Sequence, residues 1–208
     1  MPTGFLALCS SNLPISDDID PAQTDDDYPA KQFNTVLYTG NGSDGHGITG
    51  VGFQPDFVWL KKRSASASHQ LYDSSRGAGK LLSSDSTSNE ATYSTVLQSF
   101  DSDGFTLGTS AAINGSSATM VGWCWRANGG TTASNTDGAS TTTVQANTKA
   151  GFSIIEFPNN SSNSTFGHGL SSAPEFITAR LTGGSRWATY HTGLTSAGNY
   201  VSLNTDSA

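Results

Sequence analysis

Six carboxylates between Asp56 and Asp103, four histidines and a scattered set of tryptophans and tyrosines are the side chains with which this sequence could do chemistry. Glycoside hydrolysis needs two carboxylates facing each other across a cleft. Asp56, Asp73, Asp85, Glu90, Asp101 and Asp103 sit mostly in turn-like contexts, which predicts solvated turns. Nucleophilic catalysis needs a Ser or Cys beside a base that a third group orients. His69, Asp73 and a serine can be drawn as such a triad. Ser and Thr make up about a quarter of the chain, however, so a match is expected by chance, and no G-x-S-x-G elbow is present. The other histidines are His46, His168 and His191.

Gly40-Asn41-Gly42-Ser43-Asp44-Gly45 spells G-x-G-x-x-G after a strand-like run. A dinucleotide site also needs a helix opening at the third glycine, because its N-terminus holds the pyrophosphate. His46-Gly47-Ile48-Thr49-Gly50 cannot sustain one, so a turn between strands is expected. Asp101-Ser102-Asp103-Gly104 resembles the start of a calcium loop without its distal glutamate, and an Asp-Gly hairpin turn fits better. Cys9 and Cys124 stand alone, without the paired ligands of a zinc site. The acidic run from Asp17 to Asp27 could gather hard cations weakly. No catalytic, metal or cofactor-binding residue is assigned, and no cofactor is implied. Trp59, Trp123, Trp125, Trp187, Tyr72 and Tyr190 could stack on sugar faces. Most lie in strand-like runs, so core packing is the leading expectation and exposed binding the other. In Trp123-Cys124-Trp125 the two tryptophans share one face and Cys124 the other. Asn41, Asn114, Asn159, Asn160 and Asn163 fall in N-x-[S/T] sequons, which matter only in a eukaryotic secreted chain.

The elements that must position these groups read as short strands. Charged residues are 13% of 208, against a usual figure of about 25%. Ten Lys plus Arg against 17 Asp plus Glu give a net charge of −7, which disfavours nucleic-acid binding. No apolar run approaches the ~18 residues of a membrane span, so no membrane insertion is expected. The opening Gly4-Phe5-Leu6-Ala7-Leu8-Cys9 is too short and lacks the basic flank of a signal peptide. β-favouring runs recur at Asn34–Thr39, Phe57–Leu60, Gln70–Tyr72, Phe105–Leu107 and Met120–Trp125, punctuated by Gly, Asn, Ser and Pro. Capping signals followed by helical spacing are nearly absent. Gly77 to Asn89 could hold a helical turn at most. Residues 127–151 are Ser, Thr, Gly and Asn-rich and predict a flexible linker or exposed loop.

The pattern then restarts. Phe33 aligns with Phe152, Gly50 with Gly169, Pro55 with Pro174 and Phe57 with Phe176, each at an offset of 119 (152 − 33). After one deletion His69-Gln70-Leu71-Tyr72 matches Trp187-Ala188-Thr189-Tyr190. Two copies of one unit are therefore expected. Residues 1–32 comprise the end strand of a preceding module plus an acidic linker, 33–126 the first β module, 127–151 the linker and 152–208 a partial second copy. The second copy has no counterpart of residues from about Ala91 to Arg126, which predicts either a fragment or a gap covered by another chain. Phe5-Leu6-Ala7-Leu8-Cys9 faintly resembles Val121-Gly122-Trp123-Cys124-Trp125. It could serve as a strand lent to a neighbour, though one strand does not replace some 35 residues.

The string Phe33–Gly42, followed by Gly52–Trp59, Leu71–Gly77, Phe100–Gly108 and Gly122–Trp125, resembles a tandem module of bacteriophage virion proteins, common in marine and cyanobacterial phages. Residues 152–208 resemble its companion module, and Leu6–Pro14 the end of the concanavalin A-like or SPRY-like domain that often precedes it. What the resemblance implies is a virion-surface or extracellular location and a role on a tail fibre or capsid; it carries over no catalytic residue. The expected fold is all-β, in tandem β-sandwich (jelly-roll-like) modules with the second copy incomplete. The expected function is non-enzymatic: multivalent display to a host-surface glycan or protein. A purely architectural subunit is the alternative and a fibre-borne depolymerase the third. Expected partners are the chain itself, as a homo-oligomer or fibre, other virion proteins and host glycan, with no nucleic acid.

Overall fold

The computed structural model describes residues 28–159, 163–196 and 198–204. The expected strand at Phe5–Cys9, the acidic run Asp17–Asp27 and the Asn160 sequon lie outside them.

The protein is all-β, as the punctuated short runs predict. The first module packs two antiparallel sheets face to face. One has the order β1 (Phe33–Thr39), β9 (Thr119–Trp125), β3 (Phe57–Lys62), β4 (Gln70–Asp73). The other has the order β2 (His46–Thr49), β8 (Gly104–Leu107), β7 (Leu97–Asp101). A ribbon of β5 (Lys80–Leu81) and β6 (Ala91–Thr92) flanks them. Alternation along each strand sends one side chain in two to the space between the sheets. Val36, Val58, Leu60, Tyr72 and Cys124 from the first sheet there meet Ile48, Leu97, Phe105 and Leu107 from the second. Burying such side chains contributes roughly 1.5–3 kcal/mol each.

Gly122 of β9 marks how tightly this core closes. A Cβ there would stand 3.0 Å from Leu60 and 3.3 Å from Val36. Strands β1 and β3 flank β9 with their large residues turned in, so only a bare backbone passes between them. A 3-10 turn stands at Pro29–Lys31, and an α-helical turn, α1, at Ala111–Asn114; neither falls in Gly77–Asn89, where turns and the short β5 take over.

Residues 127–151 are not the flexible loop that their composition predicts. They contain β10 (Ala133–Asn135) and β11 (Thr142–Asn147), which form a sheet with β12 (Phe152–Glu156). Thr142, Val144 and Gln145 of β11 are buried. The run lacks bulk, but its glycine N–H groups and Gln145 find partners in the first module, described below.

Within residues 152–208, one strand pair keeps the register of its counterpart in residues 33–126. Strands β13 (Phe176–Ala179) and β14 (Ala188–His191) pair Phe176 with His191 and Ile177 with Tyr190. In the first copy the equivalent residues Phe57 and Asp73, and Val58 and Tyr72, face each other in the same way. The bond from Ser74 N–H to the Asp56 carbonyl recurs as Thr192 N–H to the Glu175 carbonyl. A short β15 (Val201–Ser202) completes the second sheet, in the order β13, β14, β15.

Candidate functional site

The sheet β1-β9-β3-β4 carries aromatics on the face away from the core. Register sets Phe33, Trp125 and Phe57 side by side in one row, and Trp123 beside Trp59 in the next but one. Ring centroids lie 4.8 Å apart for Phe33–Trp125, 5.3 Å for Phe57–Trp125 and 6.2 Å for Trp59–Trp123. Cys124 points the other way into the core, as the alternation predicts, and burial pushes its thiol up to about 12. Core packing is therefore the wrong expectation for Trp123 and Trp125, whereas Trp59 also packs against the small core cluster of Leu71, Leu82 and Trp187. They form a half-buried outer layer, because this sheet has something to cover on both sides.

The second copy provides part of the cover. Phe152, the repeat equivalent of Phe33, stacks on Trp125 at 6.2 Å with an interplanar angle of 23°. Trp187 is buried against Leu71 and Leu82, and its indole N–H donates to the Ser83 carbonyl at 2.8 Å. The Arg180 guanidinium lies 5.1 Å from the Trp187 ring and donates to the carbonyls of Ser83, Ser86 and Ser88. Tyr72 is wholly inside, with its hydroxyl donating to Gln70, while Tyr190 is half-buried.

Between the two copies the aromatic layer stays open. A groove of about 530 Å³ is lined by Phe33, Trp125 and Phe152, with Pro29, Gln32, Lys149 and Ala150 around them. Phe33 is 41% exposed. Apolar ring faces rimmed by an amide, an ammonium and backbone edges suit a flat, amphipathic ligand such as a pyranose ring. Sequence reading singled out Trp125 but not Phe33 or Phe152. The signal was in the repeat itself, which gives each copy a phenylalanine at the same position on either side of one tryptophan.

Asp85 and Asp103 are exposed, as solvated turns predict, but other carboxylates do a different job. Asp56 is fully buried and accepts N–H bonds from Ala127 (2.7 Å), Gly129 (2.9 Å) and Gly130 (2.7 Å) and the Ser74 hydroxyl (2.8 Å). Gln145 lies beside it, accepting from Asn128 and Gly130 and donating to Ser74 and Ser75. Together they clamp the run 127–147 onto the first module. Asp73 and Glu90 both bind Arg76, at 2.5 and 2.8 Å. Asp101 accepts from Ser99 and Thr106. Asp103 accepts the N–H groups of Gly50 and Gly52, which hold its carboxyl below the usual range. Asp101-Ser102-Asp103-Gly104 is the tight turn joining β7 to β8.

The histidines are likewise engaged one by one. His69 accepts the Trp59 indole N–H at 2.8 Å, while Asp73 is turned to Arg76, so the drawn triad is not assembled. Burial, with Lys61 adding to it, lowers the His69 pKa. His168 and His191 each accept a backbone N–H two residues on. His46 meets Asn114, a residue that sequence reading saw only as a sequon. Asn114 is fully buried and its side-chain amide makes four bonds, to Asn41, Ser43, His46 and Gly108, which with the Gly42 N–H donating to the Asn114 carbonyl pin the Gly40–Gly45 turn in place. No helix follows that turn; Gly45 leads directly into β2. A glycan on Asn114 is incompatible with this packing.

Neither a curated protein nor a solved structure matches the chain. A family model described as a domain of unknown function, DUF7483, matches residues 28–208, across both copies of the repeat, and the chain belongs to that family.

Proposed function

We propose that this protein is a non-enzymatic display module of a bacteriophage virion surface, which binds a host-surface glycan through the groove between its two copies. The observation that carries the binding role is the open aromatic groove, with Phe33, Trp125 and Phe152 converging beside Gln32 and Lys149. The virion setting rests on the motif resemblance of residues 33–126 and 152–208. Individual saccharide contacts of this type are weak, and many copies on one particle raise avidity through effective concentration. The ionisable groups support a scaffolding role, since Asp56, Asp73, Glu90, Asp101 and Asp103 each commit their oxygens to internal bonds.

A glycan array probed with the intact protein tests this reading. Reproducible binding to a subset of saccharides, weakened about tenfold or more by Phe33→Ala, supports it, since truncating an aromatic hot spot costs of order 1.4 kcal/mol or above. A flat array overturns it, and reducing ends released from host polysaccharide would replace it with a depolymerase. An architectural subunit is the second reading. It is favoured by the apolar surface that the second copy leaves uncovered, including Phe176 at 58% and Ile177 at 44% exposure. Regular filaments or rings in electron microscopy, together with a flat array, would select it.

A further inference from the structure

An indole N–H can only donate, so the 2.8 Å bond from Trp59 to Nδ1 requires His69 to be the neutral imidazole with its proton on Nε2. An imidazolium carries a proton on both nitrogens and cannot accept that bond. The two rings meet edge on, with centroids 5.7 Å apart. Trp59 lies in β3, and His69 directly precedes β4. Trp59 in turn packs on the cluster of Leu71, Leu82 and Trp187, where the second copy seats its tryptophan on the first. Phe57 packs on the same cluster and also meets Trp125 at 5.3 Å and Phe152 at 6.2 Å. The Trp59–His69 bond thus underlies the seam from the first copy's side.

We propose that His69 is an acid-sensitive latch for the seam between the two copies. Neutral His69 holds Trp59 in the packing that seats Trp187. Protonated His69 releases the indole N–H, and the second copy's hold on the first loosens. The step adds one solvent proton at Nδ1 and breaks one hydrogen bond; no covalent bond of the chain changes.

The direction with pH follows from the surroundings. Burial and the Lys61 ammonium lower the His69 pKa from 6.5, and Asp85 opposes them. Lys61 of β3 and Asp85 of the loop after β5 are the described charged groups that act on this ring. In a loosened seam the imidazole is solvated and returns towards 6.5. Loosening therefore takes up a proton and is favoured as the pH falls below that value, while the latch stays closed above it. The Trp187 N–H bond to the Ser83 carbonyl and the Arg180 bonds to Ser83, Ser86 and Ser88 do not titrate in this range. They keep the second copy attached, so the seam loosens without parting. This inference is independent of glycan binding.

Hydrogen exchange of the full-length chain, corrected for the intrinsic effect of pH on exchange, reads the latch. From about pH 7.5 to about pH 5, protection of Phe176–His191 should fall about fivefold, the weight of one hydrogen bond, while β2 and β8 keep theirs. His69→Asn, whose side-chain carbonyl can accept from the indole at any pH, should remove the fall. His191→Asn, in β14 itself, should leave it in place. In NMR spectra of the unaltered chain the Trp59 indole N–H, identified by its loss in Trp59→Phe, should titrate with the midpoint of the His69 ring. Unchanged protection in acid, an equal fall in the His69→Asn chain, a fall removed by His191→Asn instead, or a Trp59 signal indifferent to the His69 titration overturns the proposal.

Discussion

Asp56 is the residue on which the placement of the linker depends, and its replacement gives the sharpest test of the structure. Asp56→Ala removes one acceptor from four donors. Gly130 N–H keeps Gln145 as a second acceptor at 2.9 Å, and exposed Gly129 can turn to water. Ala127 N–H is buried and is left without a partner. A lost bond to a charged group contributes about 1.5–3 kcal/mol, and an orphaned buried donor costs about 1–3 kcal/mol. Relief of the carboxylate's own desolvation offsets part of this. A net loss of about 3 kcal/mol follows, or about 6–12 °C in Tm for a domain of this size. Asp56→Asn should cost nearly as much despite its equal size, because its NH2 group faces backbone donors. Urea unfolding followed by tryptophan fluorescence reads the loss. Hydrogen exchange should show Thr142–Asn147 opening before β1, β9 and β3. An Asp56→Asn protein within about 1 kcal/mol of the parent, with unchanged protection in β11, would refute the clamp.

Gly104→Ala should destabilise by about 2–4 kcal/mol, read by denaturant titration, because φ is +154° there and a Cβ would stand 1.9 Å from the Ile48 carbonyl oxygen in the facing strand β2. The Cys124 thiol, pushed up to about 12 by burial, should resist a thiol reagent at pH 8 in a Cys9→Ser chain until denaturant is added. Burial also raises the hydroxyls of Tyr38 and Tyr72 above their ordinary value of 10. For all three the unfolded chain ionises first, so stability is full below about pH 9 and falls as the pH rises towards the folded values; alkaline unfolding midpoints measure this. His69 has the opposite sense of titration. Its pKa is lowered from 6.5, so its contribution is present above pH 6.5 and is lost as the pH falls through the folded value. Its imidazole shifts in NMR should titrate below 6.5, and Trp59→Phe, which removes the indole donor to Nδ1, should alter that midpoint.

The strands were legible because they rest on local pattern. Alternation separated Cys124 from its flanking tryptophans without saying which face was the core, and the offset of 119, shortened to 118 after one deletion, aligned β13 with β3 and β14 with β4. Three things were not legible, for one physical reason. The order in residues 127–147, the burial of Asp56 and the outer tryptophan layer all depend on contacts between segments far apart in the chain, such as Ala127 with Asp56 and Gln145 with Ser75. A glycine-rich run looks flexible from composition because it has nothing to bury. It becomes ordered when its N–H groups find a buried carboxylate, and nothing in its own sequence records that partner. Asn114 misleads in a related way. Its sequon suggests an exposed loop, but its amide satisfies four partners inside one.

The two copies are unequal in a way that follows from their contacts. In the first, the sheet has its sandwich partner β2-β8-β7 on one face and aromatics covered by Phe152 and Trp187 on the other. The second copy gives up its own Phe152 and Trp187 to that covering. Its β13 retains exposed Phe176 and Ile177, and its inner face meets no second sheet among the described residues. The second copy thus covers part of the outer face of the first. A unit built this way is suited to stacking in series, where every interface repeats the Trp125–Phe152 and Trp187–Leu71 contacts. Under the proposed glycan binding, an array of this kind would repeat the aromatic groove once per junction, at a fixed spacing.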